Sequence, residues 1–193
     1  KSSTIDRFLR EAQVAARITH PNVVRVFDVD VAGNPPYLVM EYIQGPSLQE
    51  LVRKDGILTC QKAAEFARQI AQGLAHAHQS GLIHRDIKPA NLLIDEDGVA
   101  KISDFGLARV EASNEDGSLT MEHGETVLGT ADYIAPEQAI NSHRIDARAH
   151  QYCLGHSLYF MLTGQPPFPE GAIVERMTKH CTAEPESVAS FRT

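Results

Sequence analysis

The segment HRDIKPAN occupies residues 84–91, and DFG at residues 104–106 and APE at residues 135–137 follow it in that order. Two short apolar runs, 91–94 and 99–102, separate the first two segments and favour strands. The acidic stretch between these runs ends in glycine, which is typical of a hairpin turn. The pattern therefore predicts polar loops at the ends of a short antiparallel strand pair.

The composition is that of an ordinary globular protein. Of the 193 residues, 42% are hydrophobic and 22% are charged, enough for one good core or for two small lobes that share a cleft. The net charge of −7 does not favour a nucleic-acid partner. No apolar run approaches the roughly 18–20 residues of a membrane span, and no signal peptide is evident.

The chain contains three cysteines, Cys60, Cys153 and Cys181, which is an odd number without metal-ligand spacing. They indicate reduced thiols and a cytoplasmic setting, which would also suit the cytosolic domain of a membrane-anchored protein. Because the first residue is lysine rather than methionine, we expect the chain to begin inside a longer protein.

Hydrophobic periodicity predicts the remaining elements. Helices are expected over residues 4–19, 59–79, 152–162 and near 173–180, and strands over residues 23–31, 37–41 and 82–84. A turn at 33–36 makes the first two strands antiparallel, and Gly45-Pro46 marks a joint between two lobes. The polar stretch 111–125 has no periodicity and is expected to form a loop.

Together, the three motifs resemble those of eukaryotic-type protein kinases, and most of all the bacterial Ser/Thr kinases. The resemblance covers the whole chain and implies an α+β, two-lobe kinase-like fold. A partial small lobe (helix C and two strands) with the hinge would occupy residues 1–44, and a mainly helical large lobe, incomplete at its C-terminus, residues 45–193. The family's Gly-rich loop and the strand with its ATP-contacting lysine have no counterpart here, so we expect weak or no transferase activity from these 193 residues alone.

The resemblance implies ATP as phosphate donor and Mg²⁺ as cofactor. Phosphoryl transfer depends on positioning and charge neutralisation more than on covalent help. Asp86 would accept the proton of the attacking hydroxyl, while the Asn91 amide oxygen and the Asp104 carboxylate would hold Mg²⁺, which prefers hard oxygen ligands. We expect these two acids and the amide, contributed by neighbouring turns, to converge on a common cavity.

Lys88 indicates the substrate class. In the resembled family, a lysine two residues after the catalytic aspartate marks Ser/Thr kinases, where it neutralises the transferred phosphate. Thr130 would bridge Asp86 and Lys88 through its hydroxyl. The resemblance therefore implies a protein substrate that is phosphorylated on a Ser or Thr hydroxyl.

Arg85 suggests control by phosphorylation. In the family, an arginine beside the catalytic aspartate pairs with a phosphate on the activation loop, and the added charge orders that loop. The candidate acceptors are Ser118, Thr120 and Thr126. Their alternative interpretation is as ordinary polar loop residues.

The nucleotide site is assigned by resemblance alone, since residues 37–43 would otherwise read as a buried strand. Met40 would lie behind the adenine, and the Glu41 carbonyl and the Ile43 N–H would pair with the adenine edge. Leu93 would pack under the ring. Glu11 matches the helix glutamate that pairs with the ATP-contacting lysine.

The residue at position 150 departs from the family, because His150 stands where an aspartate is expected. That aspartate accepts hydrogen bonds from backbone N–H groups of the catalytic loop. A neutral histidine has one acceptor nitrogen, whereas a carboxylate has two oxygens. An orphaned buried N–H costs about 1–3 kcal/mol, so we predict that His150 loosens the loop around Arg85.

The sequence leaves other functions open. His150 and the missing strands favour a pseudokinase or decayed kinase fragment that serves as a binding module, and the sequence upstream of Lys1 would discriminate between this and an active kinase. A histidine metalloprotein lacks spaced ligands: His76 and His78 lie two apart on a predicted helix and so point to different sides. We expect a packed or solvated helix face there.

Overall fold

The computed structural model describes residues 12–30, 37–104, 129, 131–140 and 145–192. Of the helix predicted over 4–19, only the part from residue 12 onward lies in this range, and residues 12–15 are helical. The predicted turn at 33–36 and the predicted loop at 111–125 lie outside the described residues.

The first two strands form an antiparallel pair, as predicted. Strand β1 (Val26–Asp30) pairs with β2 (Tyr37–Met40), with a bulge between Val26 and Asp28. Strand β1 is shorter than the predicted 23–31, because Val23 instead forms a parallel bridge to Ile102 of the second sheet. That bridge ties the first sheet to the second.

Helix α1 (Leu48–Asp55) follows the joint at Gly45-Pro46 and was not predicted from periodicity. Its N-terminus carries a capping box: the Glu50 amide donates to the Ser47 hydroxyl at 3.2 Å, and the Glu50 carboxylate accepts the Ser47 amide at 2.8 Å. The sequence signal was present, since Ser-x-x-Glu before an apolar residue is a recognised helix start. The helix is only eight residues long, too short for a clear apolar stripe.

Helix α2 (Cys60–Gln79) confirms the long helix predicted over 59–79, with Thr59 as its N-cap. Its buried face consists of the predicted apolar residues, Ala63, Phe66, Ile70, Leu74 and Ala77. Gly73 lies on the same face, where a Cβ atom would come within 2.7 Å of the Asn22 carbonyl oxygen. Only glycine lets this helix approach the segment before β1 so closely.

The second sheet is the predicted hairpin, with β3 (Leu92–Ile94) antiparallel to β4 (Ala100–Ile102). Asp95 holds the turn, because its carboxylate accepts the Val99 amide at 2.8 Å and the Asp97 amide at 3.1 Å. Alternate residues of both strands face the core, namely Leu92, Ile94, Ala100 and Ile102. The strand predicted at 82–84 is wrong: these residues are irregular, with Leu82 and His84 buried and Ile83 partly buried.

Three α-helices and a final 3₁₀ turn (Val188–Phe191) complete the described chain; the helices are α3 (Pro136–Ile140), α4 (Ala147–Thr163) and α5 (Ile173–Thr182). Helix α4 contains the predicted buried segment 152–162 and packs against α2, and α5 matches the helix predicted near 173–180. Within the described ranges, no helix is both long and apolar enough to cross a membrane.

Candidate catalytic site

Asp86 lies at the centre of a compact polar cluster. Its carboxylate oxygen Oδ2 is 2.9 Å from the Lys88 ammonium and accepts the Asn91 amide N–H at 3.0 Å. The same Asn91 nitrogen donates to the Asp86 backbone carbonyl at 2.9 Å. Lys88 and Asn91 are both buried, so these contacts are sheltered from water.

Asn91 is connected to Asp104 through one residue of the second sheet. A 3₁₀ turn (Pro89–Asn91) places Asn91 at the start of β3, where its carbonyl accepts the Ser103 amide at 3.0 Å. The Ser103 hydroxyl lies 3.2 Å from that carbonyl and 3.2 Å from Asp104 Oδ2. The hairpin thus returns Asp104 to Asn91, and the structure brings together the two acids and the amide that the sequence singled out.

His84 is a linking residue to which the sequence analysis gave no role, although it opens the HRDIKPAN segment. It is fully buried, and its Nδ1 accepts the Asp86 amide at 3.2 Å. Its Nε2 therefore carries the proton and donates to the Ser103 carbonyl at 2.6 Å. Burial lowers the pKa of His84, so the ring is neutral and joins the loop of Asp86 to the strand before Asp104.

Two residues of this cluster have an unusual backbone conformation. Arg85 has φ 66° and Asp104 has φ 57°, in the left-handed region that residues other than glycine seldom adopt. Such strain persists only where neighbouring groups hold it, and it concentrates at functional sites.

Gln138 on α3 holds Arg85 from one side, and the sequence analysis did not identify it. Its amide nitrogen donates to the Arg85 carbonyl at 2.9 Å. Its amide oxygen accepts the Ala135 amide at 3.1 Å. Gln138 therefore connects the APE segment to the loop that carries Asp86.

His150 on α4 holds Arg85 from the other side. Its Nε2 lies 3.2 Å from the His84 amide nitrogen and 3.3 Å from that of Arg85. The single acceptor nitrogen of His150 is therefore shared by two backbone donors, those of His84 and Arg85. Neither N–H is orphaned, although both distances are at the long end for N–H···O or N–H···N bonds.

The hinge segment is placed beside the second sheet by an ion pair. The Lys101 ammonium lies 2.8 Å from Glu41 Oε1, while Glu41 Oε2 accepts the Arg25 amide at 3.1 Å. Leu93 faces the same way as Lys101, because the two residues are directly paired across the β3–β4 ladder. Partial burial raises the pKa of Glu41, but the hydrogen bonds from Lys101 and Arg25 outweigh it and keep the pKa below its usual value.

The other hinge residues lie close to this contact. Met40 ends β2 opposite Val26 and is partly exposed, and Ile43 is buried. Gly45 follows at a point where a Cβ atom would come within 1.9 Å of the Ile94 carbonyl oxygen, so only glycine fits against β3. This segment thus contacts the second sheet at two points, through the Glu41–Lys101 ion pair and through Gly45 against Ile94.

Five of the predicted site residues lie outside the described residues: Glu11, Ser118, Thr120, Thr126 and Thr130. A cavity of about 450 Å³ between α1, α2 and the hairpin is lined by Leu51, Phe66 and Ile94 among others, and its lining includes none of the predicted site residues. Within the described residues, no group of three or more His, Cys, Asp or Glu side chains could hold a metal ion.

Comparison with known proteins shows that this chain is similar to protein kinases. The family described as "Protein kinase domain" matches residues 1–190. The serine/threonine-protein kinases PknB of Mycobacterium leprae and of Mycolicibacterium smegmatis are each 42% identical to this chain over 183 residues, 93% of its length. The chain spans 29% of the length of each of these relatives.

A solved structure shows the same fold. The crystal structure of Rad53 1–466 in complex with AMP-PNP has a TM-score of 0.76 and 27% sequence identity, and the match covers 96% of this chain and 45% of that one. The predicted kinase-like α+β fold class is confirmed. The chain belongs to the protein kinase domain family.

Proposed function

We propose that the protein containing this chain is a Ser/Thr protein kinase, which transfers the γ-phosphoryl group of ATP to a Ser or Thr hydroxyl of a protein substrate. The observation that carries the proposal is the cluster in which Lys88 and Asn91 both contact the Asp86 carboxylate while Ser103 joins Asn91 to Asp104. The names of the relatives, serine/threonine-protein kinases, support the same activity.

Asp86 acts as the base in this proposal. Its carboxylate is held by Asn91 on one side and Lys88 on the other, so it presents a fixed acceptor to the attacking hydroxyl. Lys88, buried and 2.9 Å away, supplies the positive charge that offsets charge on the transferred phosphoryl group. Thr130 bridges the two residues, as in the resembled family.

The residues present fit a Mg²⁺ ion. Because the Asn91 amide nitrogen is bonded to Asp86, the amide oxygen is turned away from it, the orientation a metal ligand needs. With the Asp104 carboxylate it supplies hard oxygen donors of the kind that Mg²⁺ prefers. The ion, when bound, would neutralise phosphate charge.

The hinge binds the adenine in this proposal, through the Glu41 carbonyl and the Ile43 N–H. The Glu41–Lys101 ion pair keeps that segment against the sheet edge where Leu93 lies, and Met40 lines the back of the site. Glu11 pairs with the lysine that contacts ATP. That the Rad53 structure holds AMP-PNP supports ATP as the donor.

The division of the chain and its regulation are part of the proposal. Residues 1–44 form the small-lobe part with the hinge, and residues 45–193 the large lobe, with the close packing of Gly45 on β3 at the boundary. A phosphate on Ser118, Thr120 or Thr126 pairs with Arg85 and orders the loop.

The experiment is a phosphorylation assay with Mg-ATP and a generic Ser/Thr protein substrate, using the complete protein that contains these residues. We expect Asp86→Asn to lower kcat by about 10²- to 10⁴-fold, the usual contribution of a positioned acid or base. Asp97→Asn, in the exposed hairpin turn, is the matched control and should retain activity. Equal transferase activity in the Asp86→Asn variant and the parent would refute the role of Asp86, and no activity in the parent would leave a binding module as the better interpretation.

A further inference from the structure

His150 makes contacts that determine its proton positions. It is 2% exposed, and its Nε2 faces the backbone amides of His84 and Arg85. Because a backbone amide can only donate, this Nε2 must carry a lone pair. A neutral imidazole has one N–H and one acceptor nitrogen, so the proton of His150 is on Nδ1.

His78 on α2 is the partner of that proton. Its Nε2 lies 2.5 Å from His150 Nδ1, and the two rings are nearly parallel, at 14°. Since His150 Nδ1 donates, His78 Nε2 must accept, and the His78 proton is on its own Nδ1. The chain of contacts therefore requires both rings to be neutral and both to be protonated on Nδ1.

We propose that His78 and His150 form a proton-sensitive positioning pair, which holds the catalytic loop while both rings are neutral and releases it when either gains a proton. The effect on catalysis rests on the proposed kinase function; the hydrogen bonds themselves do not. A proton on His150 Nε2 would face two amide donors, and one on His78 Nε2 would face the Nδ1–H of His150. Either proton removes the acceptor on which the next contact depends.

The pair can affect catalysis because His150 contacts the residue next to Asp86. Arg85, with φ 66°, is held at its amide by His150 and at its carbonyl by Gln138. Asp86 is the next residue, so its carboxylate depends on the same peptide groups. Losing the His150 bond removes one of the contacts that hold this strained residue, and a shift of about 1 Å in a reacting group can cost about 10²-fold in rate.

The surroundings favour the neutral state at neutral pH. The titratable groups that face His150 are His78 from α2 and His84 from the loop; Cys153 lies one turn along α4, and α3 contributes the uncharged Gln138. Burial, together with His84 and His78, lowers the pKa of His150 to about 3, and burial lowers the pKa of His78. Burial raises the pKa of the Cys153 thiol to about 12, so it remains uncharged. The pair is thus intact at neutral pH and is lost in acid.

The tautomers can be measured without any variant or any enzymatic activity. Long-range ¹H–¹⁵N NMR correlations of the histidine rings, in the complete protein at pH 7.5, should show both His78 and His150 neutral and protonated on Nδ1. An Nε2-protonated tautomer or a charged ring at either residue would overturn the proposal.

Variants of His78 separate the hydrogen bond from packing. His78→Gln keeps an acceptor near the Nε2 position, whereas His78→Phe keeps a ring without an acceptor. We expect kcat to fall about 10- to 100-fold in His78→Phe and to be largely retained in His78→Gln, with little change in KM for ATP. His76→Gln is the control: it is on the same helix, but its ring stacks on His20. Equal kcat for the Phe and Gln variants would refute the role of the acceptor.

His150→Asp tests the sensitivity to acid. A carboxylate provides two acceptors that do not depend on a neutral ring. Because the pKa of His150 is about 3, the acid-side loss of kcat is compared as the pH falls from 5 toward 3, and it should be smaller in His150→Asp than in the parent. Superimposable pH profiles would reject the switch. If the Asp86→Asn comparison shows no transferase activity, the proposed function fails, but the tautomers and the exchange rate of the Arg85 amide still decide whether the pair exists.

Discussion

The proposed catalytic loop around Asp86 and the proposed hinge around Glu41 are both held in place by polar side chains, but these side chains differ in charge and in burial. At the loop, the neutral groups His84, His150 and Gln138 are almost fully buried and bond to backbone amides and carbonyls. At the hinge, the charged pair Glu41–Lys101 has side-chain exposures of 30% and 14%.

The difference matters because the two kinds of contact respond to different conditions. Removing a buried neutral partner leaves a backbone group without a hydrogen bond, at a cost of about 1–3 kcal/mol per group, and salt does not change this. A partly exposed ion pair contributes at most about 1 kcal/mol and is screened by salt. The loop should therefore be sensitive to mutation and to acid, and the hinge to ionic strength.

The largest effect is expected for Gln138→Leu. The change removes the hydrogen bonds that Gln138 makes with the Arg85 carbonyl and the Ala135 amide, so we expect the free energy of unfolding to fall by about 3 kcal/mol. Urea denaturation of the complete protein measures it, with the exposed Gln72→Leu on α2 as control. A loss no larger than in that control would show that the loop is not held by buried hydrogen bonds, and the contrast with the hinge would disappear.

An intermediate effect is expected from pH. The pKa of His150 is about 3 in the folded protein, below its ordinary value of about 6.5. Between these two values, His150 binds a proton in the unfolded state but not in the folded state. The contribution of His150 to the free energy of unfolding is therefore fully present above about pH 6.5. Below that pH it falls by about 1.4 kcal/mol per pH unit, until about pH 3. Between pH 7.5 and 5 the parent should lose about 2 kcal/mol more than His150→Asp.

Denaturation of both proteins at each pH checks this prediction. Buried His180, which bonds Tyr152, is common to the two proteins, so its contribution cancels in the difference. The same dependence on pH in both proteins would mean that His150 is not kept neutral by folding.

The smallest effect is expected at the hinge. Glu41→Gln removes the charge from the Lys101 pair but keeps an oxygen for the Arg25 amide, so we expect a loss of about 0.5 kcal/mol that shrinks at 1 M NaCl. Glu96→Gln is the control, because Glu96 accepts a hydrogen bond from the uncharged Gln44. A loss above 2 kcal/mol, unaffected by salt, would make the hinge resemble the loop.

The elements that the sequence predicted well are those with a local cause. Helix α2 has a long apolar stripe and a threonine cap, and the β3–β4 hairpin has two short apolar runs around an acidic turn. Helix α1 was not predicted because eight residues contain too few repeats for the periodicity to be recognised, although its capping box is visible in the sequence. The supposed strand at 82–84 is apolar because it is buried, and it has no neighbouring strand to pair with among the described residues.

In the candidate site, too, some residues could be predicted from the sequence and others could not. The order of the three motifs, through the resemblance to protein kinases, predicted Asp86, Lys88, Asn91 and Asp104 as site residues, and their types suit the chemistry of phosphoryl transfer. Gln138, Ser103 and the role of His84 were not identified, since each acts by bonding backbone groups far along the chain. A glutamine or serine that does this looks no different in sequence from one that faces solvent.

By itself, the sequence determined the family, the main helices and the acids and amide of the site, because these depend on residue type and on spacing over a few residues. The tertiary structure alone decided that His150, where an aspartate was expected, faces two amides and is oriented by His78, 72 positions away. A count of acceptor atoms predicted an orphaned N–H, but only the packing of α4 against α2 shows that one nitrogen serves both donors. Hydrogen bonds of this kind depend on distance and direction in space, which residue spacing along the chain does not specify.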